Sequence, residues 1–369
     1  MSRQHSIKVE INRKVFNSIK EYFGITDEYL KERYKLIAKG ESKMMKATVS
    51  KLRNLSDYLR IPVSVFFLSE PPNFPAGPDD HRKRSQLKLS KNTINAIRNA
   101  YWYQQILNDL TTFEFNLNLK FNLDNDDPIN AGKIVSEHLK FEELRKKSHN
   151  PNELLRKLRY RLDEFNIFTF KENFPSEETR GFSIINSGPP IIVINRHDTD
   201  SAKIFTVLHE LGHILLNLPG ISEPTDVEGS PDSVESWCDQ FSASITIPHK
   251  YLEGLNLKEH DDIGPVINQL HDKLLVSKHS IALALLHIKG IFLSQYQEFI
   301  NRPYSIEQQI KKSGEFRIPR AKMITSNKGK KFTMIIMDAY NASDLPENEV
   351  RELLNVKDND KVFEDLLDI

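Results

Sequence analysis

The sequence of 369 residues contains a single cysteine, Cys238, and no excess of charge of either sign. One thiol cannot form a disulfide within the chain, which excludes a disulfide-stapled secreted domain and favours a reducing compartment. Lysine plus arginine and aspartate plus glutamate number 51 each, so the whole chain has neither a basic nucleic-acid signature nor an acidic tail. We therefore expect its function to depend on local sites.

Long apolar runs are also missing. The run from Ile61 to Leu68 is too short to cross a bilayer, which needs about 20 apolar residues. The first residues, MSRQHSIKVEINRK, lack an apolar core of signal-peptide length. We expect a cytoplasmic protein without a membrane partner, long enough for two or three compact units.

The stretch from 201 to 219, SAKIFTVLHELGHILLNLP, carries the clearest chemical pattern. Its apolar residues recur at helical spacing, and Pro219 ends the run. Within it, HELGH (His209 to His213) is an H-E-x-x-H motif. On a helix the two histidines share one face and can bind one zinc ion, and Glu210 can take a proton from water there. The alternative is an ordinary exposed polar face.

A second predicted helix, SVESWCDQFSASIT, ends before Pro248. Glu235 and Asp239 are four residues apart in it and therefore share a face. A carboxylate added to two histidines gives the His2Glu set of catalytic zinc peptidases, which predicts Glu235 as the third ligand. Asp239 can accept the remaining ring N–H of a ligand histidine. Taken alone, Glu235 would be interpreted as a solvated charge on a helix surface. The H-E-x-x-H motif in the same chain favours its interpretation as a metal ligand.

The segment before the motif predicts a small sheet. Three runs rich in isoleucine, valine and phenylalanine, at 167–170, 182–185 and 190–194, follow a predicted helix over 154–165. Pro190 suits an edge strand, and an open edge can take up a peptide as an added strand. The predicted fold class is α+β: mainly helical, with a small mixed sheet packed on the H-E-x-x-H helix and helical N- and C-terminal regions.

The first 72 residues predict a helix-turn-helix-like unit. Helices are expected over 15–23, over 27–34 with Thr26 as the cap, and over 48–59. Residues 1 to 70 hold 14 Lys/Arg against 8 Asp/Glu, a difference of +6 and a modest footprint for DNA binding. The stretch YKLIAKGESKMMKA gives no clear recognition helix. The alternative is a helical bundle that contacts proteins.

Four prolines in 71–84 indicate a linker, and a helix is expected from Ser90 to Leu110. The basic run from Arg317 to Phe332 is expected to be exposed, as a solvated loop or as part of a substrate-docking lid.

The predicted domains are a helix-turn-helix-like domain (1–72), a linker and helical segment (73–149), a zinc metallopeptidase core (150–300) and an accessory region (301–369).

The chain resembles the ImmA/IrrE family of zinc metallopeptidases. It is similar to the long form of the family, which carries an N-terminal helix-turn-helix of the XRE repressor type. The family usually has Ala-Asn where this chain has Cys238-Asp239. The resemblance rests on Phe205 to His213, Glu235 to Phe241 with Ile247-Pro248, Arg180-Gly181-Phe182, Pro190 to Asn195, Leu59 to Leu68 and Lys328 to Val356.

The resemblance implies a regulatory endopeptidase that cuts a partner protein, an XRE-type repressor, at one site and so releases genes for stress response or mobile-element transfer. Glu210 would take a proton and later deliver it to the leaving amine. An extra oxyanion donor could be His249, Tyr251 or Arg180, and the sequence does not choose among them. The other histidines, such as His287, are assigned no catalytic role.

A function of a different class is kept open. The chain could be a DNA-binding transcription regulator or antitoxin-like protein with a non-catalytic zinc site, because its first 70 residues lean basic. Phosphate contacts would make such binding steeply salt-dependent in a gel-shift titration. A purely structural zinc site would have no use for Glu210, which favours the peptidase.

Overall fold

The computed structural model forms two compact units, Met1–Tyr101 and Trp102–Ile369. The expected linker over 71–84 lies almost wholly outside the described residues, as do Pro219 and Arg317. The structure describes residues 8–23, 25–36, 42–59, 63–72, 89–113, 117–185, 188–218, 221–222, 234–251, 257–258, 260–287, 290–301, 319–356 and 362–367.

The first unit contains three of the expected helices together with two strands. Thr26 caps the second helix as predicted, because its hydroxyl accepts a hydrogen bond from the Tyr29 amide at 3.2 Å. Asn12 caps the first helix in the same way through the Lys14 amide. The elements are β1 (Lys8–Asn12), α1 (Arg13–Tyr22), α2 (Asp27–Tyr34), β2 (Met44–Thr48), α3 (Val49–Leu59), a 3-10 turn (Val63–Phe67) and the start of α4 (Lys91–Leu110).

The two strands of this unit were not predicted. β1 and β2 pair antiparallel, with Ile11 opposite Met45, and both side chains are buried. Each strand has only five residues, and β2, with the sequence MMKAT, does not alternate apolar and polar residues regularly, so its signal is weak. Between α2 and α3, the described residues 42–48 contain the strand β2 and no recognition helix. A helix-turn-helix is therefore not seen in the described part of the first unit.

The second unit is mainly helical around one sheet. It contains the elements α5 (Pro128–Leu139), α6 (Phe141–Lys146), α7 (Pro151–Glu164), β3 (Phe168–Glu172), β4 (Gly181–Ile184), β5 (Ile191–Asn195), α8 (Asp200–Leu216), β6 (Ile221–Ser222), α9 (Val234–Thr246), α10 (Gly264–Leu274), α11 (Lys278–His287), α12 (Leu293–Asn301), α13 (Arg320–Lys328), α14 (Lys330–Asn341), α15 (Glu347–Leu354) and α16 (Val362–Leu367).

The sheet is mixed, with the strand order β3-β5-β4-β6. β3 runs parallel to β5, while β4 runs antiparallel to both β5 and β6. Every residue of β5 is buried, as expected for a strand covered on both faces. The α+β class and the three predicted strands are confirmed.

The expectation that Pro190 marks an edge strand is wrong. β5 pairs with a strand on each side and is central in the sheet. Pro190 lies immediately before β5, and its carbonyl accepts a hydrogen bond from the Phe168 amide at 2.9 Å. Because the proline stands outside the strand, its missing N–H costs no bond between strands.

Helix α8 is the centre of the second unit and packs against β4, β5, α7 and α9. It begins at a capping residue, Thr199, whose hydroxyl accepts from the Ala202 amide, and it ends at Asn217 in a left-handed conformation. Nearly all of its side chains are buried. A helix enclosed on every side places its polar residues in a fixed, dry environment.

Helix α9 is held on two sides. Arg145 of α6 is buried and donates to the Thr246 carbonyl at 2.7 Å, which satisfies the C-terminal end of α9. Gly132 of α5 allows a close approach, because a Cβ at that position would lie 2.8 Å from the Phe241 carbonyl and 1.7 Å from Ser244 Oγ. These contacts fix the helix that carries Glu235.

The expected exposure of the basic run from Arg317 to Phe332 holds only in part: Lys322 and Lys330 are exposed, but other residues of its described part are buried. Lys328 is buried and donates to Glu172 of β3 at 2.9 Å, while Phe332 is fully buried. Arg159 of α7 donates to the Ser326 carbonyl. Lys328 and Lys331 make internal hydrogen bonds, and α13 packs against β3.

Among the described residues, none of the helices combines the length and the apolar character that crossing a membrane requires.

We predict that Gly132→Ala destabilises the second unit although alanine is the better helix former. The added methyl group would meet Ser244 and the Phe241 backbone, and such overpacking costs about 1–3 kcal/mol. Urea unfolding should show a lower midpoint than for wild type. Lys133→Ala, an exposed neighbour on the same helix, is the matched control. An unchanged midpoint for Gly132→Ala would contradict the close packing of α5 on α9.

Candidate metal centre

The two histidines of the motif face the same point. His209 and His213 lie one turn apart on α8, with their Nε2 atoms 3.2 Å from each other. Both are buried. Two imidazole nitrogens at this separation can share one cation, since residues four apart lie on one helix face.

Glu235 approaches this pair from the first turn of α9. Its Oε2 lies 3.1 Å from His209 Nε2, and its Oε1 lies 3.4 Å from His213 Nε2. Ligand atoms at about 2.0–2.2 Å in a tetrahedron around zinc are about 3.3–3.6 Å apart. The structure therefore brings the three predicted ligands together at a spacing that fits one zinc ion.

The outer nitrogens of both histidines have partners. His209 Nδ1 lies 2.8 Å from Asp239 Oδ1, and His213 Nδ1 lies 3.1 Å from the Leu218 carbonyl. A carboxylate or carbonyl at this position holds the ring proton on Nδ1, which leaves Nε2 free to bind a cation. Asp239 thus stands where the sequence placed it.

The charges of the site are strongly coupled. Burial opposes a charge on His209, but the hydrogen bonds with Asp239 and Glu235 outweigh it and raise its pKa well above the usual value. Burial opposes the Glu235 anion too, yet its hydrogen bonds to the histidines hold the pKa of its carboxyl below the usual range. The carboxylates remain ionised, so the site offers negative charge to a cation.

Glu210 lies fully buried beside β4. A Cβ on Gly181 of β4 would stand 3.3 Å from Glu210 Oε1 and 2.6 Å from Thr206 Cγ2. Only a residue without a side chain lets the strand approach the glutamate this closely. This accounts for the glycine at 181, which the sequence showed only as part of a resemblance.

Cys238 is a competing ligand. Its sulfur and ligand atoms of His209 and His213 lie within 4.8 Å of one another, so these three residues form a group that could hold a metal. Burial and the neighbouring carboxylates raise the pKa of this thiol well above its usual value. Because metals bind the thiolate, and the Glu235 carboxylate is already ionised and lies 3.1 and 3.4 Å from the two histidine nitrogens, we favour Glu235.

The candidate oxyanion donors are not distinguished by their positions. Arg180 is about half exposed and pairs loosely with Asp198 at 3.8 Å. Tyr251 lies under the ammonium groups of Lys250 and Lys273. The side chain of His249 is outside the described part of the chain.

His287 is the residue near this centre that the sequence missed. Its Nε2 lies 3.6 Å from Asp239 Oδ2, on the side of the carboxylate away from His209. Its position 48 residues after Asp239 follows no recognised ligand spacing, so only the packing of α11 against α9 reveals it.

Comparison with known families agrees with this geometry. Residues 162–286 match the model of the Peptidase_M78 family, described as the IrrE N-terminal-like domain. The matched range is less than half of the chain and includes both helices of the centre. These residues are therefore similar to a peptidase domain of the IrrE/ImmA type. The chain has no match among curated proteins or among solved structures.

We predict that Glu235→Ala abolishes tight zinc binding whereas Cys238→Ala preserves it. Removing a ligand should weaken affinity by more than the roughly 10–100-fold that loss of an outer partner costs. Chelator competition measures the affinity, and metal analysis gives the stoichiometry. The opposite pattern, with zinc lost only from Cys238→Ala, would make the thiol the third ligand.

Proposed function

We propose, starting from a peptidase domain of the IrrE type, that this protein is a zinc-dependent endopeptidase that cleaves a protein partner. The observation that carries the proposal is the convergence of His209, His213 and Glu235, with Glu210 buried beside them. Two imidazoles and one carboxylate form the ligand set of catalytic zinc sites, which leave a position for water.

The residues present fit a zinc ion. When bound, zinc makes water more acidic and polarises the scissile carbonyl. His209 and His213 would hold the ion through their Nε2 atoms, and Glu235 through its carboxylate. Asp239 keeps the ring proton of His209 on Nδ1, so that the coordinating nitrogen carries a lone pair.

Glu210 is proposed as the general base and acid. It takes a proton from the attacking water and then donates it to the amine of the departing product, which needs one carboxylate within reach of both. Its Oε1 lies 3.3 Å from the position that a Cβ on Gly181 would occupy, so the glycine leaves space for the carboxylate beside β4. A buried carboxylate also acts where bulk water is scarce, which strengthens its electrostatic influence.

The sheet provides a route for substrate positioning. β4 borders Glu210 and pairs with the two-residue strand β6 at one edge of the sheet. At the other edge, β3 is packed against α13. We propose that an extended segment of the substrate aligns along the β6 side, where backbone hydrogen bonds can hold it irrespective of sequence.

The resemblance to the ImmA/IrrE family suggests the partner. We propose that the substrate is an XRE-type repressor, cut at one site, so that cleavage triggers a stress or mobile-element response. The first unit would then recognise the partner rather than the peptide bond. A regulatory protease needs such a second contact, because one extended segment alone offers little selectivity.

The rival function, a DNA-binding regulator with a non-catalytic zinc site, has weaker support. It depends on the excess of 14 Lys/Arg over 8 Asp/Glu in residues 1–70. The described residues between α2 and α3 form β2 instead of a recognition helix. A non-catalytic site would also leave the burial of Glu210 without a purpose.

The test compares wild type with Glu210→Gln. The amide cannot accept a proton, so cleavage should fall by about 10²–10⁴-fold or more while zinc content stays unchanged. Purified protein is incubated with a helix-turn-helix repressor from the same genome, and intact mass spectrometry detects the fragments. Two fragments from a single cut are expected.

Glu177→Gln is the matched control, because it makes the same chemical change at an exposed position of the same unit. It should cleave like wild type. Full activity of zinc-loaded Glu210→Gln would end the proposed mechanism.

A further inference from the structure

A histidine outside the ligand set lies next to Asp239, the carboxylate that holds His209 from behind the metal centre. His287 is the last residue of α11, and its Nε2 lies 3.6 Å from Asp239 Oδ2. That nitrogen is buried and has no hydrogen-bond partner among the described residues. The family match ends at residue 286 and therefore assigns no role to His287.

The Asp239 carboxylate lies between two histidines, His209 and His287. Asp239 is buried, and its Oδ1 accepts from His209 Nδ1 at 2.8 Å. A buried carboxylate is stable only when each of its oxygens has a donor or a positive neighbour. The second oxygen, Oδ2, has the ring nitrogen Nε2 of His287 as a neighbour at 3.6 Å, and an N–H on that nitrogen can act as its donor.

The backbone fixes this arrangement. Ile281, Ala284 and Leu285 of α11 are fully buried in the core, and α11 packs against α9. The backbone of α11 therefore holds the His287 ring next to Asp239, and a small rotation of the ring would bring the 3.6 Å separation within hydrogen-bond range.

We propose that His287 is a positioning residue for the metal centre. It holds the Asp239 carboxylate through Oδ2 and thereby fixes the orientation and the ring proton of His209. Outer partners of this kind raise the basicity of a ligand histidine and keep its coordinating nitrogen directed at the metal. The inference rests on the proposed function in taking the centre as a zinc site.

Two substitutions of His287 distinguish its role as a hydrogen-bond donor from its role in filling space. His287→Gln keeps an N–H that can reach the carboxylate, whereas His287→Phe keeps a flat ring and removes the donor. His271→Phe is the matched control, because this histidine of α10 bonds only the Val276 carbonyl among the contacts of its ring nitrogens that the structure describes. Folding of all variants is checked by circular dichroism.

The first measurement uses the metal-free protein with ¹⁵N-labelled histidine. The imidazole nitrogens of His209 should shift in His287→Phe, because Asp239 loses its second neighbour and no longer holds the His209 ring in one orientation. His287→Gln and His271→Phe should keep the wild-type signals. An unchanged His209 spectrum in His287→Phe would overturn the proposal.

The second measurement is zinc affinity by chelator competition. We expect about 10-fold weaker binding for His287→Phe, the lower end of the range for an outer partner, and near wild-type binding for His287→Gln. If His287 acts through Asp239, Asp239→Asn combined with His287→Phe should bind zinc no more weakly than Asp239→Asn alone. Additive losses in the double variant would contradict that route.

The two proposals fail in different ways. Absence of cleavage by zinc-loaded wild type would refute the endopeptidase, while the His209 spectra and the zinc affinities would still decide the role of His287. Unchanged spectra with normal cleavage would refute His287 alone.

Discussion

The structure depends on the contact between an imidazole on one helix and two carboxylates on the neighbouring helix. His209 of α8 has Glu235 on one ring nitrogen and Asp239 on the other, and both acids belong to α9. This arrangement places ionised groups where burial alone would oppose them, so hydrogen bonds must offset the desolvation. A cation shared by His209, His213 and Glu235 would compensate the charge of the Glu235 carboxylate. Metal binding and the packing of α8 on α9 therefore stabilise each other.

The rest of the second unit holds these two helices in register. Gly132 lets α5 approach α9, Arg145 satisfies the end of α9, and Gly181 lets β4 approach Glu210. None of these residues is a candidate ligand, yet each controls the separation on which the centre depends. A shift of about 1 Å at such a site can cost a large factor in rate. The stability of the core and the chemistry of the site therefore constrain the same residues.

Much of this could be predicted from sequence because the signals are local. H-E-x-x-H places two histidines on one helix face whatever surrounds it, and the spacing of Glu235 and Asp239 does the same on the next helix. Three of the four strands of the main sheet were visible as apolar runs. The pair β1 and β2 was not, since each strand has only five residues and β2 lacks a regular alternation of apolar and polar residues. Pro190 misled because a proline next to a strand gives the same signal as one on a sheet edge.

The sequence by itself determined which atoms are available for chemistry and which of them share a helix face, because helical spacing fixes neighbours three and four residues apart. Tertiary structure alone decided that Glu235 and Cys238 both approach the two histidines, that Lys328 is buried against Glu172, and that His287 lies beside Asp239. These contacts join residues far apart in the chain. No local periodicity encodes them, since they arise only when whole helices and strands pack to bury their apolar faces.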